Sequence, residues 1–189
     1  MDAASRRTKG VRLTLIVPLM LLVAGALAWT GYKKRESADM SKNFVLNYST
    51  PAGWKAAAHG PETLFRCIDP KTDLVLRGAV NQVISEDNPT PELDTKGIAD
   101  YYVDRTENMG GWKVQRLGVA KGDGTSFEVL RRSARDRVVV TAYAVKGNTT
   151  VLVTLFGKGK ARNLVDPNIG VLDSFLRTVS LHEKDMSDL

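Results

Sequence analysis

Cysteine and histidine are almost absent from this sequence. Its 189 residues include one cysteine, Cys67, and two histidines, His59 and His182. A single cysteine excludes an intramolecular disulfide, and three such residues at unrelated spacings do not supply the three or four ligands of a zinc site. Cys67 lies in the apolar run LFRCI, which indicates a buried and unreactive thiol. We therefore predict no metal site.

Catalytic motifs are also missing. The sequence has no GxSxG nucleophile motif, and we place His59 in an early loop and His182 in the C-terminal tail, with no serine nucleophile motif beside either. The run KGDGT at 121–125 lacks the GxxxxGK[ST] spacing of a phosphate-binding loop and the helix that follows one, so we interpret it as a hairpin turn. We predict no catalytic residues, no bound cofactor, and a protein that is not an enzyme.

The C-terminal part of the chain carries almost no excess charge. The whole sequence has a net charge of +6, but its first 36 residues hold seven Lys and Arg against two Asp and Glu. The rest of the chain carries 20 basic and 19 acidic side chains. The high isoelectric point therefore comes from the N-terminal segment, and it does not indicate a nucleic-acid partner.

An uncharged stretch of 20 residues begins at Leu13 and ends at Tyr32. A helix of that length, with a rise of ~1.5 Å per residue, reaches ~30 Å, the hydrocarbon thickness of a bilayer. Membrane helices tolerate a proline such as Pro18. Trp29 and Tyr32 stand where interfacial aromatic residues belong, and three cations follow at 33–35. We interpret the stretch as an uncleaved, single-pass membrane anchor.

The alternative is a signal peptide cleaved after Ala28, at a small-x-small site, which releases a secreted domain. Four Lys and Arg precede the stretch and three follow it, which favours a cytoplasmic N-terminus in the inner membrane. In both interpretations the C-terminal domain lies outside the cytoplasm, in a periplasm or an equivalent lumen. The predicted organisation is a basic cytoplasmic N-terminus (1–12), the membrane helix (13–32), a polar linker (33–42), one soluble domain (43–182) and a tail (183–189).

Strands and helices follow each other in a simple order in the soluble domain. Alternating apolar residues and turn signals predict strands at 44–48, 62–68, 73–84, 112–120, 125–132, 137–146 and 149–156. Helical spacing predicts one helix over 98–109, ended by Gly110 and Gly111, and a last helix with Asp166 as its N-cap and Pro167 at its first position. Short connections make antiparallel neighbours. We predict an α+β domain in which helices pack on an antiparallel sheet of six to seven strands.

The start of this domain, Phe44-x-x-x-Tyr48-x-x-Pro51-x-x-Trp54, resembles that of PsbP-like domains. The mid-chain helix, the run of hairpins and the terminal helix are similar to the same family over residues 43–182. The family includes photosystem II extrinsic subunits, a Ran-binding nuclear factor and many bacterial envelope proteins. The resemblance implies an α/β/α sandwich that binds a larger partner and has no catalytic constellation. The chain departs from the plant photosystem proteins in carrying its own predicted membrane span.

Two groups of basic residues are candidate contacts to a partner or to anionic lipid. Four arginines around one predicted hairpin form the first group: Arg131, Arg132, Arg135 and Arg137. Three cations after the last long strand form the second group: Lys158, Lys160 and Arg162. Trp54 is a candidate interface anchor. The alternatives are ordinary solvated surface charges for both groups and a place at the core edge for Trp54.

We therefore expect a membrane-anchored, extracytoplasmic binding domain that serves as an accessory or stabilising subunit of a larger membrane protein complex. Its partners are then membrane lipid and that complex, and not nucleic acid. The alternative is an envelope enzyme or small-ligand carrier that uses a cleft between sheet and helices, around Tyr101, Tyr102 and Asp104. A deep pocket with convergent polar groups favours the alternative, and a flat exposed face favours a docking subunit.

Overall fold

The computed structural model describes residues 36–39, 44–61, 63–81, 94–146 and 149–183. These residues form ten strands and two α-helices: β1 (Glu36–Asp39), β2 (Phe44–Tyr48), β3 (Lys55–Ala56), β4 (Thr63–Ile68), β5 (Leu74–Asn81), α1 (Thr95–Asn108), β6 (Lys113–Lys121), β7 (Ser126–Ala134), β8 (Arg137–Lys146), β9 (Thr149–Gly157), α2 (Ile169–Leu176) and β10 (Ser180–Glu183). Two short 3-10 turns, Gly159–Leu164 and Asp166–Asn168, connect β9 to α2.

Seven of the strands form one antiparallel sheet in the order β3-β4-β5-β9-β8-β7-β6. Each strand from β6 to β8 pairs with the next one in sequence, because the connections are too short for anything but hairpins. Strand β9, which pairs with β8 on one side, pairs with β5 on its other side along the whole length of β5. The predicted α+β domain with its antiparallel sheet is confirmed.

Helix α1 covers one face of this sheet, over strands β6, β7 and β8. It begins at Thr95, where the Asp94 carboxylate accepts a hydrogen bond from the Gly97 N–H over 2.6 Å. It ends just before Gly110 and Gly111, whose φ angles of +64° and +74° are ones that glycine adopts without strain. The prediction that these two glycines end the helix is correct, and the helix begins three residues earlier than predicted.

Helix α2 and a second sheet cover the opposite face. The second sheet has three antiparallel strands in the order β1-β2-β10. Its Tyr48 ring lies 4.5 Å from the ring of Phe65 on β4, and Phe65 lies 5.2 Å from Phe175 on α2, measured between ring centroids. This buried aromatic cluster joins both sheets and the helix in one core.

Three short strands occupy segments for which no strand was predicted. One of them, Lys55–Ala56, has two residues and pairs with β4. The other two are β1 and β10. Within the predicted linker at 33–42, Glu36–Asp39 pairs with β2. His182, which was assigned to the tail, lies in β10 opposite Val45. Both strands are four residues long and mostly polar, so they carry too little alternation to be recognised from sequence.

Helix α2 begins at Ile169, and the prediction of Asp166 as its N-cap is wrong. Asp166–Asn168 forms a 3-10 turn instead. The Asp166 carboxylate accepts two hydrogen bonds from Arg131 of β7, each 2.7 Å long. The Asp166 side chain, which the local pattern assigned to a helix cap, therefore forms a long-range ion pair with Arg131 instead.

The predicted membrane helix, with Leu13, Pro18, Trp29 and Tyr32, lies outside the described residues. Within the ranges given above, no helix is both long and apolar enough to cross a bilayer. The membrane anchor therefore stays a prediction from the sequence.

Candidate functional site

An open cleft of about 580 Å³ lies on the sheet face that also carries α1, at the other end of the sheet. Its walls come from β4, β5, the end of β9 and the loop before β4. Six side chains give it its chemistry: His59, Thr63, Arg66, Arg77, Phe156 and Lys158. We call it the basic cleft, because four of these six side chains are basic.

Strand alternation places the two arginines in the cleft. Phe65 and Cys67 point into the core, so Arg66 between them points to the opposite face. In β5, Leu76 is buried in the same core, and Arg77 follows it on the cleft face. The register pairs Arg66 directly with Arg77, which puts their Cβ atoms ~4.5–5.5 Å apart.

The turn between β4 and β5 fixes this register. The Asp69 carboxylate accepts hydrogen bonds from the Thr72 hydroxyl and from the Lys71 N–H. These two hydrogen bonds lower the pKa of Asp69 below its ordinary value, so the carboxylate stays charged and the turn stays closed. Asp73 completes the turn with a φ of +59°.

The cations of the basic cleft have no acidic partner among the described residues. Arg77 Nε donates to the Thr63 hydroxyl over 3.1 Å, and Arg66 Nη1 is 3.5 Å from the Ala58 carbonyl oxygen. No described carboxylate lies within ion-pair distance of Arg66, Arg77 or Lys158. Glu62 is next to Thr63 in sequence and lies outside the described residues. The cleft therefore concentrates positive charge.

Other arginines of the domain are neutralised by carboxylates. Four of them form ion pairs: Arg116 with Asp100, Arg131 with Asp166, Arg162 with Asp136, and Arg177 with Asp173. Arg66 and Arg77 differ from these four in facing an open cleft with no described carboxylate as a partner. Like charges directly opposite each other on neighbouring strands oppose folding, which makes the basic cleft the candidate site.

A polar row continues from the cleft across the sheet toward α1. Arg77 is opposite Thr154 in the register, and the Thr154 and Thr141 hydroxyls are 3.3 Å apart. Arg132 Nη2 donates to the Thr141 hydroxyl over 3.1 Å. Burial raises the pKa of the neighbouring Tyr143 to about 12, so this phenol is neutral at physiological pH. The row adds donors and positive charge, and it supplies no nucleophile.

The structure does not bring the four predicted arginines together on one surface. Arg131 points toward α2 and pairs with Asp166, which raises the pKa of Arg131. Arg132 points to the other face of the sheet, as neighbours in a strand do. Arg135 and Arg137 are exposed at the β7–β8 turn. Contact of these residues with a partner stays a prediction.

The remaining predicted residues have separate places. Lys158 lines the basic cleft, and Lys160 is exposed nearby. Arg162 pairs with Asp136 over 2.7 Å. Trp54 is half-buried and packs against the main core, in agreement with the core-edge alternative.

The residues of the alternative cleft, Tyr101, Tyr102 and Asp104, lie apart from the basic cleft. These residues lie on α1, where Tyr102 stacks on the buried Tyr143 with 4.6 Å between ring centroids. None of the three lines the basic cleft. A smaller, mainly apolar cleft of about 230 Å³ lies between β6 and α2.

The cysteine and the two histidines lie in different parts of the fold. Cys67 is buried, and its sulfur lies 3.9 Å from the Thr50 hydroxyl. His59 is exposed at the rim of the basic cleft, where its Nδ1 is 3.2 Å from the Gly60 carbonyl oxygen. Among the described residues, no group of histidine, cysteine and acidic side chains is arranged to hold a metal ion.

The sequence analysis missed Arg66 and Arg77. Each interrupts an apolar strand, in LFRCI and LVLRGAV, which was the available signal. The turn at 69–73 between the two strands makes them a hairpin, and counting outward from it places the two arginines opposite each other. Because they are eleven positions apart in the sequence, the linear pattern does not show that they are neighbours.

No protein-family model matches this sequence, and no curated protein matches it. Among solved structures, the chain is similar to the solution structure of cyanobacterial PsbP (CyanoP) from Synechocystis sp. PCC 6803, at 12% identity and a TM-score of 0.49, over 80% of this chain and 95% of that one. It is also similar to the crystal structure of LpqN, involved in cell envelope biogenesis of Mycobacterium tuberculosis, at 10% identity and a TM-score of 0.48, over 80% of this chain and 91% of that one. The resemblance to PsbP-like domains is thus found again among solved structures, and it concerns the fold.

Proposed function

We propose that this chain is a non-enzymatic, membrane-anchored binding domain on the extracytoplasmic side, and that it serves as an accessory subunit of a larger membrane protein complex. The basic cleft is its contact site for an anionic group. The observation that carries the proposal is that Arg66 and Arg77 lie directly opposite each other on neighbouring strands, with no ion-pair partner among the described carboxylates. The anchor and its orientation rest on the uncharged stretch at 13–32 and its flanking charges.

The chemistry of the cleft supports binding over catalysis. Its described side chains offer guanidinium, ammonium and hydroxyl donors and one imidazole, His59. General acid–base or nucleophilic catalysis needs a base held against a nucleophile or a reacting proton, and no such pair lines the described part of the cleft. Converging cations in a concave surface instead attract an anion and slow its release.

Co-purification of the full-length protein in a mild detergent tests the proposal. The variant Arg66→Glu/Arg77→Glu should lose the membrane partner that the wild type retains, because like-charge contact at an interface costs several kcal/mol. The matched control is Lys113→Glu/Lys121→Glu, which makes the same charge change at two exposed positions of β6. Retention of the partner by the cleft variant and its loss in the control would place the contact on the other edge of the sheet.

A small-ligand carrier is the second candidate, and the size of the cleft favours it. A volume of about 580 Å³ is within the ~300–1,000 Å³ of small-molecule sites. Phe156 adds an apolar wall beside the cations. Mass spectrometry of the natively purified protein under gentle ionisation distinguishes the candidates, since a carrier retains a small molecule and a docking subunit retains a polypeptide.

A further inference from the structure

We propose that the anionic group held by the basic cleft is a phosphoryl group. This inference rests on the proposed function of the cleft as a binding site, and it names the chemistry of the ligand. The group is a phosphate monoester, carried either by a small soluble molecule or by a phospholipid headgroup.

The geometry of the donors fits a tetrahedral oxyanion. Arg66 and Arg77 project from directly opposed positions of two strands, and both side chains line the basic cleft. A guanidinium binds two phosphate oxygens through parallel N–H donors. The hydrogen bond from Arg77 Nε to the Thr63 hydroxyl orients the Arg77 guanidinium group and leaves both of its terminal nitrogens for a ligand.

Lys158 and His59 complete the cradle from the two sides. Lys158 follows β9 and His59 belongs to the loop before β4, so these side chains approach the arginines from separate walls. Lysine contributes a point charge to a phosphate site, whereas the planar guanidinium group of arginine contributes N–H donors in fixed directions. Two arginines and a lysine bring a formal charge of +3, and a phosphate monoester brings nearly −2 at neutral pH.

A compact dianion fits this arrangement better than the carboxylates of an acidic protein. Carboxylates on a protein surface are spaced by several ångströms and match cations arranged along a surface. Here four basic side chains line one open cleft of about 580 Å³. Phe156 lines the same cleft, so an apolar surface stands beside the anion site. A phosphate ester presents this combination of a dense charge and an attached organic group.

Titration calorimetry of the full-length protein in detergent tests the inference. Glycerol 3-phosphate is the soluble ester, phosphatidic acid is the same ester on a lipid, and citrate is a carboxylate of comparable charge. Glycerol 3-phosphate or phosphatidic acid should bind the wild type at least tenfold more tightly than citrate does. The variant Arg66→Gln/Arg77→Gln should weaken the preferred ester by about tenfold or more, since two charge-assisted contacts are lost.

The control variant Lys113→Gln/Lys121→Gln removes the same charge from β6 and should bind like the wild type. Tighter binding of phosphatidic acid than of glycerol 3-phosphate identifies the lipid as the source, and equal binding identifies the soluble ester. Equal binding of citrate and the esters, or an ester affinity unchanged in the arginine variant, would overturn the inference. If neither ester binds while Arg66→Glu/Arg77→Glu still loses the membrane partner, the phosphoryl inference fails and the proposed function stands.

Discussion

Gly78 shows how tightly single residues are specified in the core behind the cleft. It lies opposite Phe65 in the register, and its missing side chain makes room for the ring. Phe65 cannot move aside, because its ring is fully buried between Tyr48 and Phe175. The neighbouring Arg66 and Arg77 therefore project from a rigid pair of strands.

Replacing Gly78 with alanine should lower the free energy of unfolding by ~1–3 kcal/mol, because the added Cβ overlaps the Phe65 ring. Urea unfolding of the soluble domain measures the loss. Gly170→Ala is the control: its Cβ meets open space on α2, and alanine there should stabilise the helix by up to ~1 kcal/mol. Equal stability of Gly78→Ala and the wild type would show that the core behind the cleft is loosely packed.

The ion pair between Arg131 and Asp166 joins β7 to the turn that leads into α2. Both hydrogen bonds are 2.7 Å long, and the Asp166 side chain is 44% exposed. The Arg131 guanidinium holds the pKa of Asp166 below its ordinary value of 3.8. A lowered folded-state pKa means that the pair stabilises the domain above pH ~4 and that this stabilisation is lost as the pH falls through the folded-state pKa.

Asp166→Asn should therefore cost up to ~1 kcal/mol at pH 7, the range of solvent-screened ion pairs. The difference between wild type and variant should shrink as the pH is lowered below ~4, because the Asp166 carboxyl then takes up a proton first in the unfolded chain and, at still lower pH, in the folded one. Unfolding of wild type and variant in urea, at pH 7 and at pH 3, measures the stability difference at each pH. A difference that grows toward acid pH would contradict the assigned ion pair.

Secondary structure could be predicted from the sequence wherever neighbouring residues in the chain determine it. The strands from β4 to β9 follow from alternation and turn residues, and α1 follows from its spacing and from Gly110 and Gly111. The short strands β1, β3 and β10 could not be predicted, because segments of two to four residues become strands only when a neighbouring strand lies beside them. Asp166 was misassigned for the same reason, since its partner lies 35 residues away. The basic cleft could not be predicted, because it depends on the register between neighbouring strands, and the sequence of a single segment does not show that register.

Across the whole molecule, positive charge is distributed unevenly between paired and unpaired arginines. The domain has nearly equal numbers of basic and acidic residues, so enough carboxylates exist to neutralise its cations. Arg66 and Arg77 nevertheless face each other without a described carboxylate. Binding sites commonly retain such unfavourable arrangements, because the ligand supplies the missing charge.

Arg77→Gln should raise the free energy of unfolding of the ligand-free domain by ~0.2–1 kcal/mol at low salt, because it relieves the repulsion with Arg66. The gain should diminish as salt screens the two charges. Thermal unfolding at low and high ionic strength checks both statements. Arg105→Gln is the control, since Arg105 donates to the Tyr101 hydroxyl on α1, and it should show no gain. A loss of stability in Arg77→Gln at low salt would mean that the arginine is structural.

Site-specific photocrosslinking in native membranes tests most directly that the basic cleft is the contact site. A photoreactive phenylalanine analogue fits at Gly60, which lines the cleft, and at the control position Gly170 on α2, because a Cβ at either meets open space. We predict a discrete adduct from position 60 that disappears in the Arg66→Gln/Arg77→Gln background, and none from position 170. An adduct from position 170 alone, or one from position 60 that persists without the two arginines, would contradict the account.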